Sequence, residues 1–195
     1  WLRLRGNVMQ KAVPVGKGAM AAFIGADIST TLDILKQVQS FGVCDIANDN
    51  SDGQVVISGD LEAVENAINL TKQHGIKRAV LLPVSAPFHC RLMQPAQLTM
   101  EKALNTLEFQ QPTLPIISNI NAEPETDPNK LRINLINQVT GTVKWRETML
   151  LAKKLGVQKI TELGSGKVLT GIAKRMIENV SILNIENSAD LENIL

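Results

Sequence analysis

The opening residues 1–12 (WLRLRGNVMQKA) set Leu2, Leu4, Val8 and Met9 at spacings that can share one helical face, and Pro14 and Gly16 then break the run. Up to residue 84, short apolar runs alternate with amphipathic ones. Residues 19–25 (AMAAFIG), 43–47 (VCDIA), 54–59 (QVVISG) and 77–84 (KRAVLLPV) read as strands. A helix through Leu32, Leu35 and Val38 separates the first two, with Ser29 as its predicted N-cap. A second helix, on Ala63, Val64, Ala67, Ile68 and Thr71, has Asp60 as its predicted cap and Gly75 as its stop. Residues 48–53 (NDNSDG) are dense in turn formers and join the middle strands. The order is βαββαβ, the ferredoxin-like split unit, a fold that specifies no activity by itself.

Beyond residue 84 the pattern changes. Residues 85–95 (SAPFHCRLMQP) form a loop with two prolines. Helices are predicted over about 96–107, 130–139 and 167–179, and an amphipathic one within 142–156. Residues 113–120 (TLPIISNI), 157–164 (VQKITELG) and 181–185 (SILNI) read as strands, and residues 120–129 (INAEPETDPN) as a polar turn region. Alternation of β and α implies an α/β class with a parallel sheet carrying helices on its faces.

Composition narrows the function. The chain has 195 residues, 44% of them hydrophobic, which is enough for a real core. Aromatics are only 3%, with no Tyr, so that core rests on Leu, Ile, Val, Ala and Met. Few aromatics and a net charge of +1 argue against a nucleic-acid partner. No apolar run is long enough for a membrane span, so no membrane partner is expected. Cys44 and Cys90 lie outside any CxxC pair and imply a reduced, cytoplasmic protein. Two isolated histidines and two isolated cysteines make no metal site. The first residue is Trp1 rather than Met, and the sequence is expected to belong to a longer chain.

Few residues offer chemistry. His74, beside Gly75, reads as a solvated histidine favoured by a helix C-terminus. His89 sits on a loop after a strand and after Pro87, where a neutral imidazole can take a proton from a serine hydroxyl; taken alone, a loop histidine is more often structural than catalytic. The nucleophile elbow GxSxG is absent. Residues 163–167 (LGSGK) read either as a tight turn or as an anion-binding helix start. A Cys90–His89 dyad is a weak reading, because adjacent side chains diverge. Arg5, next to Gly6, is either a solvated helix arginine or a bidentate fork for a carboxylate.

Five segments, taken in order, carry a resemblance: residues 3–25 (RLRGNVMQKAVPVGKGAMAAFIG), 47–59 (ANDNSDGQVVISG), 77–90 (KRAVLLPVSAPFHC), 136–148 (INQVTGTVKWRET) and 162–175 (ELGSGKVLTGIAKR). Together they resemble the malonyl-CoA:acyl carrier protein transacylase family, in family order and over nearly all of the chain. The resemblance implies an α/β-hydrolase-like parallel-sheet core with a ferredoxin-like βαββαβ subdomain inserted in it. Residues 1–14 would then end a core helix, 15–84 form the subdomain, and 85–195 form the C-terminal part of the core.

The implied activity is a ping-pong transfer of malonyl from malonyl-CoA to the phosphopantetheine thiol of acyl carrier protein through a serine-bound malonyl-enzyme, in fatty acid synthesis. The implied catalytic residues are His89, as base, and Gln138, whose backbone carbonyl orients it. Arg5 matches the guanidinium that binds the malonyl carboxylate. Phe88 matches a bulky residue that crowds an α-methyl branch, and Asn48 and Asn50 match a supporting loop near the site. No cofactor is implied, and the full-length enzyme is expected to be monomeric. The family's carrier protein is acidic, so Lys153, Lys154, Lys167, Lys174 and Arg175 are candidates for its docking surface, though they also read as solvated helix faces.

The sequence departs from the family in lacking the nucleophile elbow and the upstream glutamine-bearing loop, and in carrying Asp52 and Ser165 at turn positions. These 195 residues alone are therefore expected to be inactive. Rival readings are an acyltransferase domain of a modular polyketide synthase and a non-catalytic ferredoxin-like binding module.

Overall fold

The computed structural model describes residues 1–192. The chain divides into two compact units, Trp1–Trp145 and Arg146–Leu195.

In the first unit, α1 (Leu2–Lys11) leads to β1 (Gly18–Ile24), buried from Ala19 to Phe23. β1 pairs antiparallel with both β3 (Gln54–Asp60) and β4 (Arg78–Leu81), and β2 (Cys44–Ser51) pairs antiparallel with β3. Side chains alternate across a strand. Ala19, Ala21 and Phe23 therefore face α2 (Ile28–Gln37) and α3 (Leu61–Leu70), packing with Ile34, Val38, Val64 and Ala67. Met20 and Ala22 face the other way, with Ala47, Val56, Leu82 and Phe88. Burial on both faces explains why residues 19–24 are continuously apolar rather than alternating. Gly59 lets β2 and β3 close, since a Cβ there would lie 1.9 Å from the Val43 carbonyl oxygen.

The chain continues through a 3-10 turn, Arg91–Met93, into α4 (Gln94–Leu104), β5 (Ile116–Ile117), β6 (Pro124–Glu125), α5 (Pro128–Asn137) and β7 (Val143–Lys144). Met9 of α1, Met93, Met100 and Leu104 around α4, and Ile136 and Val139 at the end of α5 share one buried cluster. β7 adds to β2 in parallel, so the sheet is mixed, with the order β4-β1-β3-β2-β7.

In the second unit, α6 (Trp145–Lys154) starts at the boundary. β8 (Lys159–Leu163) and β9 (Ser181–Ile185) pair in parallel on either side of α7 (Val168–Met176), and α8 (Ser188–Glu192) follows. The architecture is α/β with a mixed sheet.

Several local expectations change. Asp27, not Ser29, caps α2, its carboxylate accepting from the Thr30 N–H at 2.7 Å. Asp60 stands at the start of α3 but turns away from it, accepting from the Val43 N–H at 2.7 Å. Leu2, Leu4 and Leu32 are exposed, so their helices bury narrower faces than the apolar spacing suggested. β2 runs on through Asn48 and Asn50 to Ser51, leaving only Asp52 and Gly53 as the turn. The strand predicted over 113–120 shrinks to Ile116–Ile117 and pairs antiparallel, not parallel, with β6. Pro115, which has no N–H, immediately precedes it, and Leu114 and Ile116 remain exposed.

Candidate active site

The loop after β4 is seated by close packing. Pro87 lies against Gly18 at the start of β1, where a Cβ would come within 2.4 Å of the proline ring. Ala86, Pro87 and Cys90 are buried, and the Cys90 thiol donates to the Pro87 carbonyl at 3.1 Å. Beyond it, Asp45 of β2 accepts from the Arg91 N–H at 2.9 Å and pairs with its guanidinium at 3.0 Å. Within this frame His89 takes φ 60°, a left-handed conformation uncommon outside glycine and sustained by the contacts on either side.

The His89 ring meets the end of α5. Nδ1 lies 2.9 Å from the backbone carbonyl oxygen of Gln138, the residue just past that helix. The last carbonyls of a helix lack partners within it, and the imidazole satisfies one of them. A carbonyl only accepts, so Nδ1 carries the proton and Nε2 keeps its lone pair in the neutral ring. Burial pushes the His89 pKa below the ordinary imidazole value. The Gln138 carbonyl opposes that shift, the Arg5 charge adds to it, and the Gly141 carbonyl opposes it again. The net result is a neutral ring near pH 7, the form that can accept a proton.

Arg5 reaches the same place from α1. With His89, Phe88, Met9, Met20 and Leu82 it lines a cavity of about 470 Å³. Burial lowers the Arg5 pKa, yet a guanidinium stays charged at any physiological pH. Among the described residues no carboxylate forms a salt bridge with it. Gln10, which follows Met9 in α1, donates to the Ser85 hydroxyl at 2.7 Å and ties the arginine's helix to the histidine's loop. The site thus joins a basic nitrogen, a fixed positive fork and apolar walls. Such a site can bind a small anionic acyl group and move a proton beside it.

The structure brings Arg5, Phe88 and His89 to one cavity and sets Gln138 behind the imidazole. Asn48 and Asn50 are half-buried within β2 and are not among the cavity's lining residues. Asn48 is the Cα partner of Val143 in β7, just after Thr142 donates to the Ile46 carbonyl at 2.6 Å. His74 lies away from the site, 3.0 Å from the Gln37 side-chain amide. Burial pushes the Cys44 thiol up to about 12 and also raises Cys90, so neither is a ready nucleophile. Glu162 of β8 accepts from the N–H groups of Leu169 and Thr170 at 3.1 and 2.7 Å. Those α7 amides are occupied, which favours the tight-turn reading of residues 163–167 over an anion site. Sequence reasoning missed the Asp45–Arg91 and Gln10–Ser85 ties; a charged residue inside the apolar run 43–47 was the available signal for the first.

Among the described residues no helix is long and apolar enough to cross a membrane. No family model matches the chain. A malonyl CoA-acyl carrier protein transacylase of Haemophilus influenzae is 39% identical over 188 residues, or 96% of this chain and 60% of that protein. The crystal structure of an acyl-carrier-protein-S-malonyltransferase from Bartonella henselae is 49% identical, with a TM-score of 0.94 over 100% of this chain and 62% of that one. A malonyl-transacylase solved in complex with a type II PKS acyl-carrier protein is 38% identical, with a TM-score of 0.93 over 100% of this chain and 64% of that one. The chain spans about three-fifths of the length of these relatives. In sequence and in fold, the chain is similar to malonyl CoA-acyl carrier protein transacylases over about three-fifths of their length.

Proposed function

We propose that this chain supplies the histidine- and arginine-bearing part of an enzyme that moves a malonyl group from malonyl-CoA to the phosphopantetheine thiol of acyl carrier protein, in fatty acid synthesis and without a cofactor. The observation that carries the reading is the shared cavity of Arg5 and His89, with the Gln138 carbonyl 2.9 Å from His89 Nδ1. The His89 Nε2 takes the proton of a serine hydroxyl as the serine oxygen attacks the malonyl thioester carbonyl. The carbon–sulfur bond then breaks, and the CoA thiolate takes the proton from Nε2. In the second half the phosphopantetheine thiol gives its proton to Nε2 and attacks the serine ester, and the serine oxygen leaves with that proton. A neutral carbonyl behind the imidazole fixes the tautomer while raising its basicity less than a carboxylate would.

Arg5 holds the malonyl carboxylate, Phe88 crowds an α-methyl branch, and Asn48 and Asn50 support the site through β2. We read residues 15–84 as a ferredoxin-like subdomain set into an α/β-hydrolase-like core formed by 1–14 and 85–195. The order β4-β1-β3-β2 of antiparallel strands with two helices on one face supports this. The enzyme is read as cytoplasmic and monomeric. Lys153, Lys154, Lys167, Lys174 and Arg175 are all exposed and suit an acidic carrier protein.

The test is His89→Ala in the full-length protein, followed by mass spectrometry of the malonyl-enzyme after rapid mixing with malonyl-CoA. Acylation should slow by orders of magnitude; an unchanged rate would overturn the role of His89. These 195 residues contain no GxSxG, so on their own they should take up no malonyl mass.

A further inference from the structure

We infer that the side chain of Gln138 is a positioning residue: its amide donates to the Gly141 carbonyl, braces the turn after α5, and so fixes the Gln138 carbonyl that holds the His89 ring with Nδ1 protonated. This rests on the reading of His89 as the base, and it adds to the backbone role of Gln138 a role for its side chain.

α5 ends at Asn137. The chain turns over residues 138–141, with the Gly141 N–H donating to the Asn137 carbonyl at 2.9 Å. The Gln138 Nε2 donates to the Gly141 carbonyl at 2.8 Å, bridging the turn from inside. Its Oε1 is buried and has no hydrogen-bond partner among the described residues. Reversing the amide would set Oε1 against the Gly141 oxygen, so only the orientation with nitrogen inward is acceptable. A buried amide held by one donor bond, with its oxygen unpaired, carries a cost that a plain turn does not require.

What lies on either side of the turn gives that bond its purpose. Thr142, the next residue, is fixed to the Ile46 carbonyl at 2.6 Å, and β7 then pairs with β2. The Gly141 carbonyl therefore belongs to a segment anchored on the sheet, while the Gln138 carbonyl belongs to a helix end. The Gln138 amide couples the two. Of the two, the Gln138 carbonyl lies 2.9 Å from His89 Nδ1 and favours the protonated ring. The charged side chain acting on the ring is Arg5, from α1; the 138–141 turn contributes carbonyls, not charges.

The experiment uses the full-length enzyme with ¹⁵N-labelled histidine and follows the two ring nitrogens of His89 by NMR across pH. The wild type should show the Nδ1–H tautomer. Gln138→Met, equal in length but without a donor, should give a mixture of tautomers and a lower titration midpoint. Its kcat for malonyl transfer should fall about tenfold with KM unchanged, because the base is misoriented while Arg5 still binds the acyl group. An unchanged tautomer and midpoint in Gln138→Met would overturn the inference. So would an Nε2–H tautomer in the wild type, a result that needs no variant to fold. Normal acylation by His89→Ala would instead defeat the reading of His89 as base and leave the tautomer result to stand on its own.

Discussion

Replacing Arg5 by Ala removes the guanidinium that shares a cavity with His89. Arg5 is half-buried, and its neighbours Met9 and Met20 are 3% and 5% exposed, so water gains little access to a carboxylate bound beside them. A hydrogen bond to a charged partner contributes about 1.5–3 kcal/mol, and a guanidinium offers two in parallel. Partial exposure discounts the sum to about 3 kcal/mol, on the order of a 100-fold change in rate. Arg5→Ala in the full-length enzyme should therefore lower kcat/KM for malonyl-CoA on the order of 100-fold. Transfer of acetyl, which has no carboxylate to lose, should stay within a few-fold. Arg5→Lys keeps the charge but not the fork and should lie between, down on the order of tenfold. The assay is paired measurement of malonyl and acetyl transfer to carrier protein. An unchanged malonyl-to-acetyl ratio would refute the reasoning, since uniform loss of both activities points to damage rather than to a lost carboxylate partner.

Other perturbations test other parts of the structure. Because burial holds the His89 pKa below the ordinary imidazole value, the neutral base survives acidification; the acid limb of kcat/KM should fall below pH of about 6.5, and Arg5→Ala should move it upward by removing a nearby positive charge. An acid limb above the ordinary value in the wild type would contradict this. Gly59→Ala forces a Cβ to within 1.9 Å of the Val43 oxygen and 2.7 Å of the Cys44 Cα, both backbone atoms, so a loss of about 3 kcal/mol is expected in urea unfolding. Phe23→Ala empties a fully buried position between β1 and its helices and should cost about 3–5 kcal/mol by the same measurement.

The strands and helices of residues 18–81 were legible because each buries a face whose period appears in a short window. β1 is the clearest, buried on both faces and apolar throughout. Ends were less legible. Asp27 and Ser29 are both good caps, and only the geometry at Thr30 chooses between them. The run 113–120 was apolar enough for a strand, but one proline and a lack of cover left only Ile116–Ile117 paired. Residues 48–50 looked like a turn because Asn and Asp favour turns; pairing with β3 on one side and β7 on the other holds Asn48 and Asp49 in a strand. The site divides in the same way. His89 and Arg5 stand out by side-chain chemistry. The Gln138 carbonyl does not, since every residue carries one, and the resemblance alone pointed to it. The Gln10–Ser85 tie spans 75 residues and leaves no periodic trace in the sequence.

The attachment of β7 to β2 has a consequence for the order in which the protein assembles. The strands from Gly18 to Leu81 lie within one stretch of chain and can pair as soon as that stretch exists. His89 acquires its acceptor only after a 49-residue loop has closed, and the turn that carries the acceptor is pinned by a contact spanning 96 residues. Such closures are entropically costly and form late. A nascent chain that has emerged only as far as Leu104 would hold a folded sheet and an undirected imidazole. The imidazole would meet its acceptor only once the segment around Lys144 had docked.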